Sequence, residues 1–358
     1  MLNPIGGGIL LGNARDVALS KPSDGEVLTW DEKVWRNAAV PPPPPPAPTT
    51  AWDLGLKESW GRIWTDMGQL GIESSVYAFA DVGHNGMVVA GTGSGGKIFR
   101  SVDYGVTWVS MGQLGLESDV FSVAYVGNSV VIAGTNGKIF RSIDYGVTWT
   151  DMGSLGGSLG VNSLVYVGSG IILAGVFDSG KIFRSNDQGL TWADMGRLGN
   201  AVAVYSLAYL GTGIVLAGTT APGIVYRSLD YGLTWVEVAV LGEEHSVLSL
   251  ANVGNGLVLA GTSDSGKIFR STDYGVNWTD IGQLGTELDV FSVAYVGDSI
   301  IVAGTGAGGK VYRSVDYGVT WTDMGQLGAA NGVLALVTLG DGIILAGTKP
   351  GGKIYRSE

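Results

Sequence analysis

Carboxylates that share a loop are the residues of this chain whose pairing could do chemistry: Glu117 with Asp119, Glu243 with Glu244, and Glu287 with Asp289. Two carboxyl groups flanking a sugar linkage serve as acid and base in glycoside hydrolysis. Nothing in the sequence sets two of them at a working separation, so they stand equally as polar contacts for a bound ligand. His245 follows Glu243 and Glu244 and joins them as a candidate contact, lone metal ligand or general base. The other histidine, His84, lies beside Asn85 and Gly86 in what reads as a hairpin turn. The chain has no cysteine, which excludes disulfides, thiolate catalysis and cysteine-based zinc sites. Residues 91–97, Gly-Thr-Gly-Ser-Gly-Gly-Lys, mimic a phosphate-binding loop. They lack Ser or Thr after the lysine and lead into a strand, so no helix N-terminus would face a phosphate. No cofactor or metal is expected.

The elements that must position these residues come from a repeat. The stretch Ser-Val-Asp-Tyr-Gly-Val-Thr-Trp at 101–108 returns at 142–149, 185–192, 228–235, 271–278 and 314–321. Five copies carry the full Ser-x-Asp-x-Gly-x-Thr-Trp pattern, and Asn277 replaces Thr in the remaining one. A worn copy sits at 58–64 and a truncated one ends the sequence at Ser357 and Glu358. Successive tryptophans are 44, 41, 43, 43, 43 and 43 residues apart. A fixed period of that length marks a repeat architecture.

Within one period four β runs are legible, at 120–126, 130–135, 138–142 and 148–152 in the second unit. Each is short, rich in β-branched and aromatic residues, and bounded by turn formers. No helical period appears, and four antiparallel strands per repeat make a propeller blade. The sequence ends on a third strand, 353–357, while 64–68 is an orphan fourth strand. Joining them gives seven complete blades with no free edge. The first strand is expected nearest the axis, with Phe121, Val123 and Tyr125 on one face against Ser122 and Ala124. The predicted fold class is all-β: a seven-bladed β-propeller with four-stranded blades over residues 51–358, closed by its two ends. An extended arm with a small hairpin precedes it.

The repeated element resembles the Asp-box, or BNR, repeat of sialidases, sortilin-type receptors and other propellers. The resemblance implies a hairpin joining third and fourth strands. Asp103, Asp144, Asp187, Asp230, Asp273 and Asp316 are then turn builders, because a carboxylate can accept backbone N–H groups within a turn. A sialidase would also need three converging arginines. Here Arg100, Arg141, Arg184, Arg227, Arg270, Arg313 and Arg356 hold one equivalent position in each repeat and cannot converge on one sugar.

Residues 1–40 lie outside the repeat. Alternating β-formers on either side of Asp31, Glu32 and Lys33 predict a hairpin. Residues 41–50 hold the proline run 41–46, a semi-rigid spacer. Asp16-Val17-Ala18-Leu19-Ser20, followed by Asp24-Gly25-Glu26-Val27-Leu28-Thr29-Trp30-Asp31 and Lys33-Val34-Trp35, is similar to a linker segment of phage fibre and appendage proteins. That resemblance implies docking onto other virion proteins through residues 1–40, location on the virion, and a homo-oligomer, with a trimer favoured. The formal charge of −11 argues against a nucleic-acid groove or an anionic membrane surface. The start has no basic region before an apolar core, so no secretory signal is expected; no apolar run is long enough to insert in a membrane.

Between repeats, two loop sets vary: those joining one blade to the next, and those joining second and third strands. Both open on one face, where loops on a rigid frame carry recognition. The expected ligand contacts are Glu117, Asp119, Glu243, Glu244, His245, Glu287 and Asp289, and the expected ligand is a host-surface glycan or protein. No catalytic residue is assigned. A glycan-cleaving propeller and an intracellular assembly factor are the alternatives.

Overall fold

The computed structural model describes residues 26–31, 34–39 and 59–358 apart from His84. His84, the proline run and residues 1–25 of the N-terminal arm lie outside the described residues. The chain divides into two units, residues 1–55 and 56–358. In the first, strands Glu26–Asp31 and Val34–Ala39 pair antiparallel with Trp30 opposite Trp35. Asp31 pairs with Val34, so the ladder runs further towards the turn than the sequence suggests.

The second unit is a ring of seven four-stranded antiparallel sheets. In the second blade the strands are Val120–Gly127, Val130–Thr135, Lys138–Ser142 and Thr150–Ser154. The fourth begins two residues later than expected, because Thr148 is drawn into the preceding turn by Asp144. The first strands of neighbouring blades are the ones that approach each other around the axis. Seven apolar clusters fill the gaps between adjacent blades, one per gap; the first combines Val89 and Ile98 of one blade with Val120, Val131 and Phe140 of the next. The blades approach so closely that a Cβ on Gly134 would stand 2.7 Å from Val161 of the following blade. Glycine at that second-strand position is therefore a packing requirement.

The ring closes as the sequence predicts. Lys353–Ser357 pairs with Thr65–Gln69, Arg356 opposite Thr65 and Lys353 opposite Gln69. Lys353 Nζ also meets Asp66 Oδ2 at 2.6 Å. The worn and truncated repeats are two halves of one turn. Gly61 N–H donates to Ser357 Oγ at 3.0 Å, as Gly105 N–H donates to Ser101 Oγ at 2.9 Å in an intact copy.

Candidate functional site

Each repeated turn is a small closed network. Asp103 Oδ1 accepts the Thr107 N–H at 2.9 Å and the Ser101 hydroxyl at 2.7 Å, and Oδ2 accepts the Thr107 hydroxyl. Partial burial works against ionisation, but these bonds outweigh it and hold the carboxyl below the usual aspartate range. In Asp273 the backbone N–H of Asn277 contributes most, and the value falls to about 2. Asn277 supplies its side-chain amide where the others supply a threonine hydroxyl. The six aspartates are therefore occupied within their own turns. The tryptophan indole donates to the turn glycine, Trp108 to Gly105 at 3.0 Å; Trp192 is the exception, its indole nitrogen buried without a partner.

The arginines of the third strands do not converge either; each ties its blade to the next. Arg100 Nε donates to the Tyr145 carbonyl at 3.0 Å, Arg141 to Gln188 at 2.8 Å, and Arg227 to Tyr274 at 3.0 Å. In the six intact turns the accepting residue has left-handed backbone geometry, φ 59° at Tyr145 and at Gln188. That conformation turns the carbonyl outward to the neighbouring guanidinium.

The sequence-predicted carboxylates separate into two groups. Glu117, Glu244 and Glu287 are drawn inward, and Glu73 joins them. Glu244 accepts from Thr262 Oγ1 at 2.9 Å and lies 3.7 Å from Lys267 Nζ. Glu117 takes Thr135 at 3.2 Å and Lys138 at 3.5 Å. Glu287 accepts the Gly308 N–H at 3.1 Å and faces Lys310 at 4.0 Å. These carboxylates pin an inter-blade loop onto the blade that follows it. Glu243 and His245 are exposed, and the His245 backbone carbonyl accepts from the Ala221 N–H.

Asp119 and Asp289 stand elsewhere, beside an axial cavity of about 560 Å³. Its wall takes one residue from every innermost strand: Tyr77, Phe121, Asn162, Tyr205, Leu248, Phe291 and Leu334. Each sits at a register shift in the pairing of first and second strands. Val120 pairs with Thr135 and Ser122 with Gly134, which leaves Phe121 as the extra residue; the other six blades repeat this. A β-bulge bends its strand and re-aims the inserted side chain. Here seven bulges aim seven side chains at the axis.

This corrects the expected single face of Phe121, Val123 and Tyr125. Phe121 faces the cavity, while Val123 and Tyr125 pack between blades. A signal for it lay in the repeats: the flanking Val and Ser or Ala barely change, while the residue between them ranges over Tyr, Phe, Asn and Leu.

Loop residues complete the rim. Phe177 lies edge-on to Tyr205 at 6.4 Å between ring centres, Tyr77 tilts against Phe121 at 5.4 Å, and Lys349 Nζ stands 4.7 Å from the centre of the Phe291 ring. Asp119 Oδ2 accepts the Ser118 hydroxyl, and its backbone N–H donates to Asn136 Oδ1 at 2.8 Å. Burial pushes the Asp289 carboxyl up; Asp264 adds to this and Lys349 opposes it. Asn162 Nδ2 is buried with no hydrogen-bond partner. Among the described residues no cluster of three acidic or histidine side chains could hold a metal ion, and no helix is long and apolar enough to cross a membrane.

Fold and turns together define a seven-bladed β-propeller carrying Asp-box turns. A family model described as BNR-Asp box repeat matches residues 268–281. No curated protein matches the chain. Among solved structures the chain is similar to YCF48 from Cyanidioschyzon merolae, 14% identical with a TM-score of 0.64 over 82% of this chain and 98% of that one. It is similar also to a streptogramin B lyase, 14% identical with a TM-score of 0.69 over 84% and 99%. A GH74 xyloglucanase from Xanthomonas campestris is 18% identical, with a TM-score of 0.64 over 82% and 53%. At such identities the likeness is one of fold.

Proposed function

We propose that this propeller is a binding head on a bacteriophage particle, and that its axial cavity grips a ligand on the host surface. The observation that carries the reading is the ring of seven bulges. The scaffold is repeated almost unchanged seven times, yet the one position aimed at the axis differs from blade to blade. Concave, largely apolar sites with a few polar groups are where ligands bind.

The polypeptide enters the ring at the Asp-box end of the strands, since Gly61 occupies the turn held by Ser357. The cavity lies at the other end, among inter-blade loop residues such as Leu159 and Gly160. Within the ring, chain entry and cavity are thus at opposite ends of the strands, an arrangement that suits attachment. The resemblance of residues 16–35 to a phage fibre linker supports placement on the virion through residues 1–40, as a homo-oligomer with a trimer favoured. Commitment of Glu117, Glu244 and Glu287 to threonine, lysine and backbone partners favours binding over sugar cleavage.

The test is adsorption of the purified full chain to intact host cells, with immunolabelling of purified particles. Phe121→Leu combined with Phe291→Leu should abolish adsorption while the fold is kept, and label should appear on the particle. Undiminished adsorption, or absence from particles, overturns the reading.

A further inference from the structure

The geometry points to a neutral saccharide as the occupant of the axial cavity, its ring faces laid on the aromatic wall and its hydroxyl groups hydrogen-bonded to the Asn162 carboxamide. The inference rests on the binding role proposed above and adds the chemistry of the ligand.

Three features select that chemistry. Tyr77, Phe121, Phe177, Tyr205 and Phe291 place aromatic rings on the wall. Aromatic faces carry negative potential and attract the weakly positive C–H faces of a pyranose. The Asn162 carboxamide on the same wall can both accept and donate, which matches the hydroxyl groups of a sugar. Asn162 lies beside these rings: a Cβ on Gly160 would stand 3.4 Å from the Phe121 ring, 3.4 Å from Phe177 Cβ and 3.5 Å from Asn162 Oδ1. An aliphatic or phenyl side chain from a protein partner would cover the rings and offer that carboxamide no hydrogen bond. A sugar supplies both the apolar face and the hydroxyl groups.

The third feature is charge. Asp119 and Asp289 border the cavity; a Cβ on Gly93 would stand 2.9 Å from Asp119 Oδ1, and one on Gly306 would stand 2.9 Å from Asp289 Oδ2 and 2.7 Å from Phe291. Asp264 adds to the negative field at Asp289, and among the described residues Lys349 is the single cation in the wall. Carboxylates accept hydroxyl donors and repel anions. Sialylated, uronic-acid and phosphate-bearing glycans are thus disfavoured, and uncharged hexose polymers are favoured.

The sequence supplies its own control. Leu248 and Leu334 occupy the same bulge in two other blades, so Asn162→Leu places in the third blade a residue that this bulge already accommodates. Phe177→Ala lies in a loop outside the strand ladder and serves as the second variant. The full chain is titrated with neutral glucan, galactan and mannan oligosaccharides, and in parallel with polysialic acid and poly(glycerol phosphate). Binding of a neutral series that weakens about tenfold or more in Asn162→Leu, and also in Phe177→Ala, with melting no lower than that of the native chain, is the expected result. Binding of the acidic polymers alone overturns the inference, as does unchanged affinity in both variants. If no saccharide binds while Phe121→Leu with Phe291→Leu still abolishes cell adsorption, the saccharide assignment falls and the axial binding role stands.

Discussion

Arg356 Nε donates to the carbonyl oxygen of Tyr104 at 3.1 Å, across 252 residues of sequence. It is the same bond that Arg100 makes to Tyr145 and Arg270 to Tyr317. At the worn repeat Arg313 makes it to Trp60, at 2.6 Å. The seven ties run once round the ring, and two of them secure the blade assembled from both chain ends. Each uses a charged, planar donor on an outward-turned carbonyl, a pairing that lysine does not reproduce.

Replacing Arg227 by Lys should therefore weaken the fold although the charge is kept. Hydrogen bonds from charged groups contribute roughly 1.5–3 kcal/mol, and solvent at this exposed site reduces that to about 1 kcal/mol. The expected outcome is a lower urea midpoint with an unchanged slope. A midpoint equal to that of the native chain would show the tie to be incidental.

Closure should matter more than any single tie. Removing residues 353–358 takes away a whole strand, exposes the edges of both neighbours and leaves Thr65–Gln69 unpaired. Cleavage by a broad-specificity protease should then begin in residues 59–69, and cooperative melting should be lost. Ser357→Ala is the milder probe, since only the acceptor for the Gly61 N–H disappears; it should cost about 1 kcal/mol. A truncated chain that melts sharply at the native temperature is incompatible with a ring closed by this strand.

All six Asp-box aspartates have folded pKa values below the unfolded 3.8, with Asp273 at about 2. A depressed carboxylate contributes stability that is complete above its unfolded pKa and fades as pH falls through its folded pKa. The fold should lose stability progressively from about pH 4 down to about pH 2. Urea midpoints taken across that window check it. Asp273→Asn should be less stable at pH 7 and show a shallower acid slope. An acid slope as steep as the native one would mean that other carboxylates set it.

Blade count, strand order and closure were legible because they depend on periodicity and on which strand is missing at each end. The site was half legible. The variable loops led to the end of the propeller where the axial cavity lies, and Asp119 and Asp289 do border that cavity. Glu117, Glu244 and Glu287 resembled them in sequence, yet their longer side chains reach Thr135, Thr262 and the third-strand lysines. Which way a loop carboxylate turns depends on the blade beneath it. The bulges were hidden for a related reason. Strict alternation assumes a regular ladder, and the shift between Val120 and Ser122 is a property of two strands together. The left-handed backbone at Tyr104 and Tyr145 was likewise unmarked, because the adjacent glycines already accounted for the turn.

If the bulge separates ligand contact from scaffold, its residues should be exchangeable where their neighbours are not. Phe121→Leu keeps a residue that the same position carries in two other blades, and it should leave the melting temperature within about a degree, the scale of a surface substitution. Gly91→Ala adds one methyl group on the adjoining strand, where its Cβ would stand 2.6 Å from Val120 Cγ1 and 3.0 Å from the Val120 carbonyl oxygen. The contact includes backbone of the next blade, so the strain cannot be relieved by a rotamer change. Overpacking of this kind costs roughly 1–3 kcal/mol, which for a domain of this size lowers the melting temperature by at least about 2 °C. Paired calorimetric scans decide the matter: if Phe121→Leu is as damaging as Gly91→Ala, the inserted residue belongs to the core and the axial ring loses its claim to be a recognition surface.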